Sequence, residues 1–200
     1  MLERLDQQLF LFLNTLNSPF WDKVMHAISS IVIWIPLYLA ILIYLGFRYR
    51  RKFIIILLFI ILTVTLSDQI SVQLFKNLFL RLRPCHEPAL TGFVHLVNNE
   101  CGGLYGFVSS HAANSFNVAL ISLLFIRKRW YTVFILLWAS VVGYSRIYLG
   151  VHYPGDVVCG AMLGALIGWG VYNLYILTDN KILSKNAFYT FTPPSSGKDG

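Results

Sequence analysis

The chain has 200 residues, 56% of them hydrophobic and only 12% charged, with a formal net charge of +7 and a mean hydropathy of +0.63. A soluble domain carries about 25% charged residues, so this composition excludes a water-soluble globular protein and points to one integral membrane domain. Nucleic acid is not indicated either: the basic residues sit in short loops between apolar runs, where they set membrane topology.

The opening Met1-Leu2-Glu3-Arg4-Leu5-Asp6 lacks the basic start of a cleavable signal peptide, so insertion is expected to use the spans themselves. Residues 2–16 read as a short amphipathic helix with Leu2, Leu5, Leu9, Phe12, Leu13 and Leu16 on one side. A crossing needs about 20 residues, so this helix is expected to lie in the interface, ended by Asn17-Ser18-Pro19. A helix from about Trp21 becomes fully apolar from Ile31 to Phe47, the first span. Further spans are expected over 53–76, 111–126, 130–149 and 154–177. The expected fold is therefore an all-α polytopic membrane bundle of five spans plus an interfacial helix, or six if residues 2–20 cross. It forms one domain over 1–178, with a flexible cytoplasmic tail over 179–200.

Three basic regions fall on one side of such a bundle: Arg48 to Lys52, Arg127 to Arg129, and Lys181 with Lys185. The positive-inside rule makes that side cytoplasmic. The polar segment 77–110 and the stretch Ser145–Asp156 then share the opposite, periplasmic side. In the last span Gly160, Gly164 and Gly168 recur every four residues. Such a stripe lets helices approach closely, inside the bundle or at a dimer seam.

Polar residues gather on the non-cytoplasmic side in three clusters. Lys76 and Arg83 either anchor at the interface or bind an anion. Ser109-Ser110-His111 opens a span: it is either a plain helix cap or an anion site at a helix start, with a histidine in reach to move a proton. Arg146, His152 and Asp156 flank a turn that Pro154 converts into a helix. Four residues separate His152 from Asp156, so the carboxylate can fix the imidazole tautomer and leave the other nitrogen a better nucleophile. Cations to hold phosphate oxygens, a nucleophile and a separate acid are what phosphoryl transfer needs, and a site at the membrane surface suits a lipid-linked substrate.

Lys76, Arg83-Pro84, then Val108-Ser109-Ser110-His111, then Ser145-Arg146, His152 and Asp156 resemble the signature of the type 2 phosphatidic acid phosphatase superfamily. That signature runs Lys-x6-Arg-Pro, Pro-Ser-Gly-His, Ser-Arg-x5-His-x3-Asp. The first and third motifs are complete. In the second, Val108 and Ser110 replace Pro and Gly. The resemblance implies a membrane lipid phosphatase without metal or cofactor. In it His152 is the nucleophile that forms a phosphohistidine, Asp156 its orienter and His111 the acid. Lys76, Arg83, Ser109, Ser110 (through its backbone N–H) and Arg146 would bind the phosphate. Arg81 lies outside the motif and reads as a headgroup contact or a solvated side chain.

Cys85 and Cys101 lie in the segment expected to face an oxidising compartment. They are either two thiols or a disulfide worth about 3 kcal/mol. The expected partners are a lipid phosphate in the bilayer and the membrane, with the protein a monomer or homodimer. Undecaprenyl diphosphate stands first among the family's substrates. Phosphatidylglycerophosphate, phosphatidic acid and lipid A phosphates are the alternatives. A vanadate haloperoxidase-like oxidoreductase and a non-catalytic lipid-binding protein are more distant readings.

Overall fold

The computed structural model describes residues 1–188, except for the side chains of Lys76 and of residues 181–188. Helix α1 spans Leu2–Asn14 and α2 spans Pro19–Ser29. Ser18 starts α2: its hydroxyl accepts from the Trp21 N–H, and Pro19 occupies the first turn. Helices α3 (Ile35–Tyr49) and α4 (Phe53–Gln69) are joined by the tight turn Arg50–Lys52, where Arg50 takes a left-handed φ of 44°. The α4 ladder widens into a π turn over Ile70–Phe75 and closes with the short α5 (Lys76–Phe79). After a loop over 80–109 come α6 (Ser110–Ile126), α7 (Arg129–Tyr148) and α8 (Pro154–Phe188).

The fold is an all-α bundle with three to four apolar candidate spans among the described residues. Val32–Phe79 (48 residues), Arg129–Tyr148 (20) and Pro154–Asn180 (27) are long and apolar enough to cross a membrane, and Ser110–Ile126 is a shorter apolar helix. Against the five to six spans read from the sequence, two merge into the first stretch, which folds back at Arg50–Lys52. Helix α6 has 17 residues, just short of the usual crossing length. It is the most enclosed helix of the bundle, with Ala112, Ala113, Asn117, Ala119 and Ile121 buried. A helix surrounded by protein has less need to match the hydrocarbon thickness. Of the segment expected as a tail, residues 179–188 continue α8, and Asp179 is held by Lys52 at 2.8 Å. Residues 189–200 lie outside the described residues.

The core lies between α3, α4, α6, α7 and α8, around Leu45, Ile56, Ile121, Phe125, Ile135 and Trp138. Where apolar packing supplies no register, polar pairs do. Thr63 of α4 donates to Asn117 Oδ1 at 2.8 Å, and Asn117 Nδ2 returns a bond to the Thr63 carbonyl at 2.7 Å, both fully buried. The glycine stripe packs inside the chain: Gly160, Gly164 and Gly168 face Ser109, Ala113 and Asn117 of the α6 segment. Lys52–Asp179, Arg127–Tyr172 and Tyr49–Phe125 contacts gather the basic loops at one end of the bundle. The chain is a multi-pass membrane protein.

Helix α1 covers the other end. At about 1.5 Å per residue its 13 residues reach about 20 Å, well short of a hydrocarbon core. Its leucine side faces outward, with Leu5, Leu9 and Phe12 exposed, while Phe10 and Asn14 are buried. Asn14 Nδ2 donates to the carbonyls of His95, Ile147 and Tyr148, and its Oδ1 accepts from the His95 N–H. The helix is thus docked on the bundle by its polar side, with an apolar side turned to the surroundings.

Candidate active site

The segment between α7 and α8 folds back on Arg146, whose carbonyl accepts from the N–H groups of Val151 and His152. Gly150 makes that reversal possible. It sits at φ +78°, and a Cβ there would lie 2.5 Å from the His95 carbonyl oxygen. His152 emerges almost fully buried, and Asp156 is fully buried in the first turn of α8. The carboxylate reaches back to accept from the Tyr153 N–H at 3.0 Å, the reciprocal bond of a helix start. The same oxygen, Oδ2, faces His152 Nδ1 at 3.5 Å. The carboxylate therefore addresses Nδ1, which assigns the ring's chemistry to Nε2.

The start of α6 is tied to the start of α8, because the Ser109 N–H donates to the Asp156 carbonyl at 3.0 Å. Ser109 caps α6, its hydroxyl accepting from the Ala112 N–H at 3.4 Å. Its side chain is thereby occupied in holding the helix start. The Ser110 hydroxyl is buried and has no hydrogen-bond partner among the described residues.

The loop over 80–109 contributes the arginines through a short antiparallel pairing. Leu82 bridges Tyr105, the Arg83 N–H donates to the Leu104 carbonyl, and the Gly106 N–H donates to the Arg81 carbonyl. Residues two apart on an extended segment share a face, so Arg81 and Arg83 both turn toward the start of α8. Arg83 is buried, and burial pushes its guanidinium below the usual arginine range against the opposing pull of Asp156. Gly106 closes the pairing where a Cβ would stand 3.1 Å from Arg83 Cγ, 3.2 Å from Asp156 Oδ2 and 3.5 Å from His152 Nδ1. The loop is pinned one step further out by a disulfide between Cys85 and Cys101, Cα atoms 6.0 Å apart. Cys159 is a free thiol. Alkylation of the denatured protein is expected to add one label before reduction and three after, matching the three cysteines. Three labels without reductant would remove the disulfide.

Two cavities meet at this site. A polar cleft of about 540 Å³ is lined by Arg83, Arg146, His111 and Ser29, with His26 and Glu100 at its mouth. An apolar cavity of about 360 Å³ runs from His111, Ser110 and Ser29 down between α3, α4 and α6, past Trp34, Tyr38 and Ile60. Arg146 Nη1 donates to the Ser29 hydroxyl, which anchors it to the end of α2.

The structure thus brings Arg83, Ser109, Ser110, His111, Arg146, His152 and Asp156 to one end of the bundle. The Lys76 side chain lies outside the described residues. Arg81, expected as a headgroup contact or a solvated side chain, is engaged by protein: its Nη1 donates to Asp156 at 2.8 Å and its Nη2 to Asp6 at 2.7 Å. Asp6, Ser29 and Gly106 are members of the site that sequence reasoning passed over.

The sequence profile of the PAP2 superfamily matches residues 53–178. A lipid A 4′-phosphatase of Bacteroides thetaiotaomicron is 44% identical over 86% of this chain and 77% of its own length. A lipid A 4′-phosphatase of Porphyromonas gingivalis is 34% identical, covering 89% of this chain and 76% of its own. The crystal structure of Aquifex aeolicus LpxE superposes with a TM-score of 0.64 at 28% identity, covering 83% of this chain and 93% of that one. The profile extends across α4 to α8 and takes in every element that lines the polar cleft except α2 and the residue after it. This chain belongs to the PAP2 superfamily and is a membrane lipid phosphatase.

Proposed function

We propose that the protein removes a phosphate from lipid A, most simply the 4′-phosphate, at the periplasmic face of a bacterial inner membrane. The observation that carries this reading is the meeting of a cationic cleft and an apolar cavity at His111. A phosphate bound between Arg83 and Arg146 would have its lipid chains directed into the apolar cavity and its headgroup toward the open mouth. Three buried donors in the site have no partner among the described residues: Arg83 Nε, Arg146 Nε and the Ser110 hydroxyl. Phosphate oxygens are the acceptors that suit them. The sequence alone ranked undecaprenyl diphosphate first. The names of the two relatives above favour the lipid A alternative over it.

The reaction uses this chain's own groups. His152 Nε2 attacks phosphorus, a P–N bond forms, and the bond from phosphorus to the lipid oxygen breaks as His111 gives that oxygen a proton. Asp156 accepts from Nδ1–H and stabilises the positive ring as it forms. Water, deprotonated by His111, then attacks the phosphohistidine and the P–N bond breaks. Arg83 and Arg146 hold the phosphoryl oxygens throughout, with Lys76 a further cation of the motif. Orientation is argued from charge. The basic loops sit at the end opposite the cleft, and basic loops favour the cytoplasm. For the span count we infer five crossings, because the 48-residue stretch Val32–Phe79 is about twice the length one crossing needs.

Purified protein in detergent with EDTA is expected to release phosphate from lipid A, and more slowly or not at all from undecaprenyl diphosphate, phosphatidylglycerophosphate and phosphatidic acid. Preference for undecaprenyl diphosphate would restore the first ranking. Activity lost in EDTA and recovered with a divalent ion would overturn the mechanism.

A further inference from the structure

We propose that Arg81 is a positioning residue for the nucleophile: it clamps the Asp156 carboxylate to Asp6 of the N-terminal helix, which makes α1 a working part of the active site. The inference rests on the phosphohistidine reading above, though not on which lipid is the substrate.

Arg81 lies behind the site, not in it. Arg83 and Arg146 line the cleft, and Arg81 lines neither cavity. Its guanidinium is committed to protein on three sides: Nη1 to Asp156 Oδ1, Nη2 to Asp6 Oδ2, and its face 4.2 Å above the Tyr153 ring. Such charge-assisted bonds in a fixed fork hold geometry as well as charge. They matter because of what they leave. With Oδ1 of Asp156 held by Arg81, the carboxylate cannot rotate, and Oδ2 stays directed at the Tyr153 N–H and His152 Nδ1.

Asp6 anchors the far end of the clamp. Its Oδ1 accepts from the Gly155 N–H at 2.8 Å, so a residue near the start of the chain also caps the helix that carries Asp156. The approach is close enough that a Cβ on Gly155 would lie 2.7 Å from Asp6 Oδ2. Asp6 is held in turn by the packing of α1. Phe10 is fully buried edge-on against Tyr153 at 5.4 Å, and Asn14 is bonded to the end of α7. Between two carboxylates Arg81 is the neutralising cation. Burial works to lower its pKa, and Asp156 and Asp6 outweigh burial and raise it.

The test compares Arg81→Gln, Arg81→Lys, Asp6→Asn and the double variant Asp6→Asn/Arg81→Gln, in detergent, on whichever lipid of the panel wild type hydrolyses. Misplacing a catalytic group by about 1 Å costs about 10²-fold. Arg81→Gln is therefore expected to lose about 10²-fold in kcat with KM within about threefold, and Asp6→Asn about tenfold. The double variant should be no worse than Arg81→Gln alone, because the two residues act through one chain of contacts. Arg81→Lys, which keeps the charge but not the fork, should recover only part of kcat. A rise in KM at constant kcat would make Arg81 a substrate ligand and overturn the proposal. So would losses that multiply in the double variant. A second readout needs no substrate. The downfield N–H proton of His152, identified by its loss in His152→Ala, is expected to move upfield in Arg81→Gln and to move less in Arg81→Lys. No movement in Arg81→Gln would sink the clamp even if none of the panel lipids is turned over. Should Arg81→Gln not fold, Asp6→Asn, which keeps the Arg81–Asp156 pair, carries both measurements.

Discussion

His152→Ala is expected to release no measurable phosphate from any lipid that wild type hydrolyses, a loss on the order of 10⁴-fold or more, as for removal of other covalent nucleophiles. Substrate binding should survive, because Arg83 and Arg146 line the cleft independently of the imidazole. The variant should therefore still compete with wild type for lipid in a mixed assay. His111→Ala should behave differently. As the proton donor to the leaving oxygen, its absence should weigh heavily on the first step with an alkyl phosphate and far less on the first-turnover burst of p-nitrophenol from p-nitrophenyl phosphate, whereas hydrolysis of the phosphohistidine should slow alike for both. His152→Ala should be equally inactive on both. Residual turnover in His152→Ala above about a tenth of wild type would assign the nucleophile elsewhere. Equal losses on both esters in that first step in His111→Ala would remove the acid role.

The parts of the site legible in the sequence are those whose partners lie within a turn or two along the chain. The His152–Asp156 relation is a four-residue spacing at a helix start, and the capping place of Ser109 follows from its position before the apolar run of α6. The glycine stripe was visible for the same reason, as a periodicity along one helix. What escaped was contact between distant segments. Arg81 meets Asp156 and Asp6 across 75 residues in each direction, and Gly106 matters only because the loop folds it against Arg83 and His152.

Helix α1 shows a second reason for a miss. Its Asp6, Phe10 and Asn14 recur every four residues, so the docking face was written in the sequence. Read as an interfacial helix, α1 turns its leucines to lipid and leaves its polar stripe to the water side. In the fold the leucines are free to face lipid, and the polar stripe finds its partners in protein instead. Asn14, with its amide bonded to three carbonyls, is the outcome.

The α6–α8 seam is where fold and chemistry depend on the same atoms, and it supplies the strongest expected effect on stability. At Gly164 a Cβ would run into the backbone carbonyl of Ala113, and at Gly160 it would stand 2.5 Å from that of Ser109. Backbone cannot step aside as a side-chain tip can, so the helices themselves must part. Gly164→Ala is expected to lose roughly 3 kcal/mol, and Gly164→Val to leave little folded protein. Gly170 lies in the same helix, and a Cβ there meets nothing within 4 Å. Gly170→Ala should therefore gain about 1 kcal/mol, the intrinsic helix preference for alanine. The same substitution six residues apart thus takes opposite signs, read as opposite shifts in unfolding midpoint by detergent-phase thermal melts. The site should register the first and not the second. The seam carries the Ser109 N–H bond to the Asp156 carbonyl, so parting α6 from α8 separates the segment that bears His111 from the segment that bears His152. Folded Gly164→Ala should lose kcat beyond its loss in stability, and Gly170→Ala should keep wild-type turnover. If both variants melt alike, the glycines are not there for close approach, and the seam does not set the distance between the two histidines.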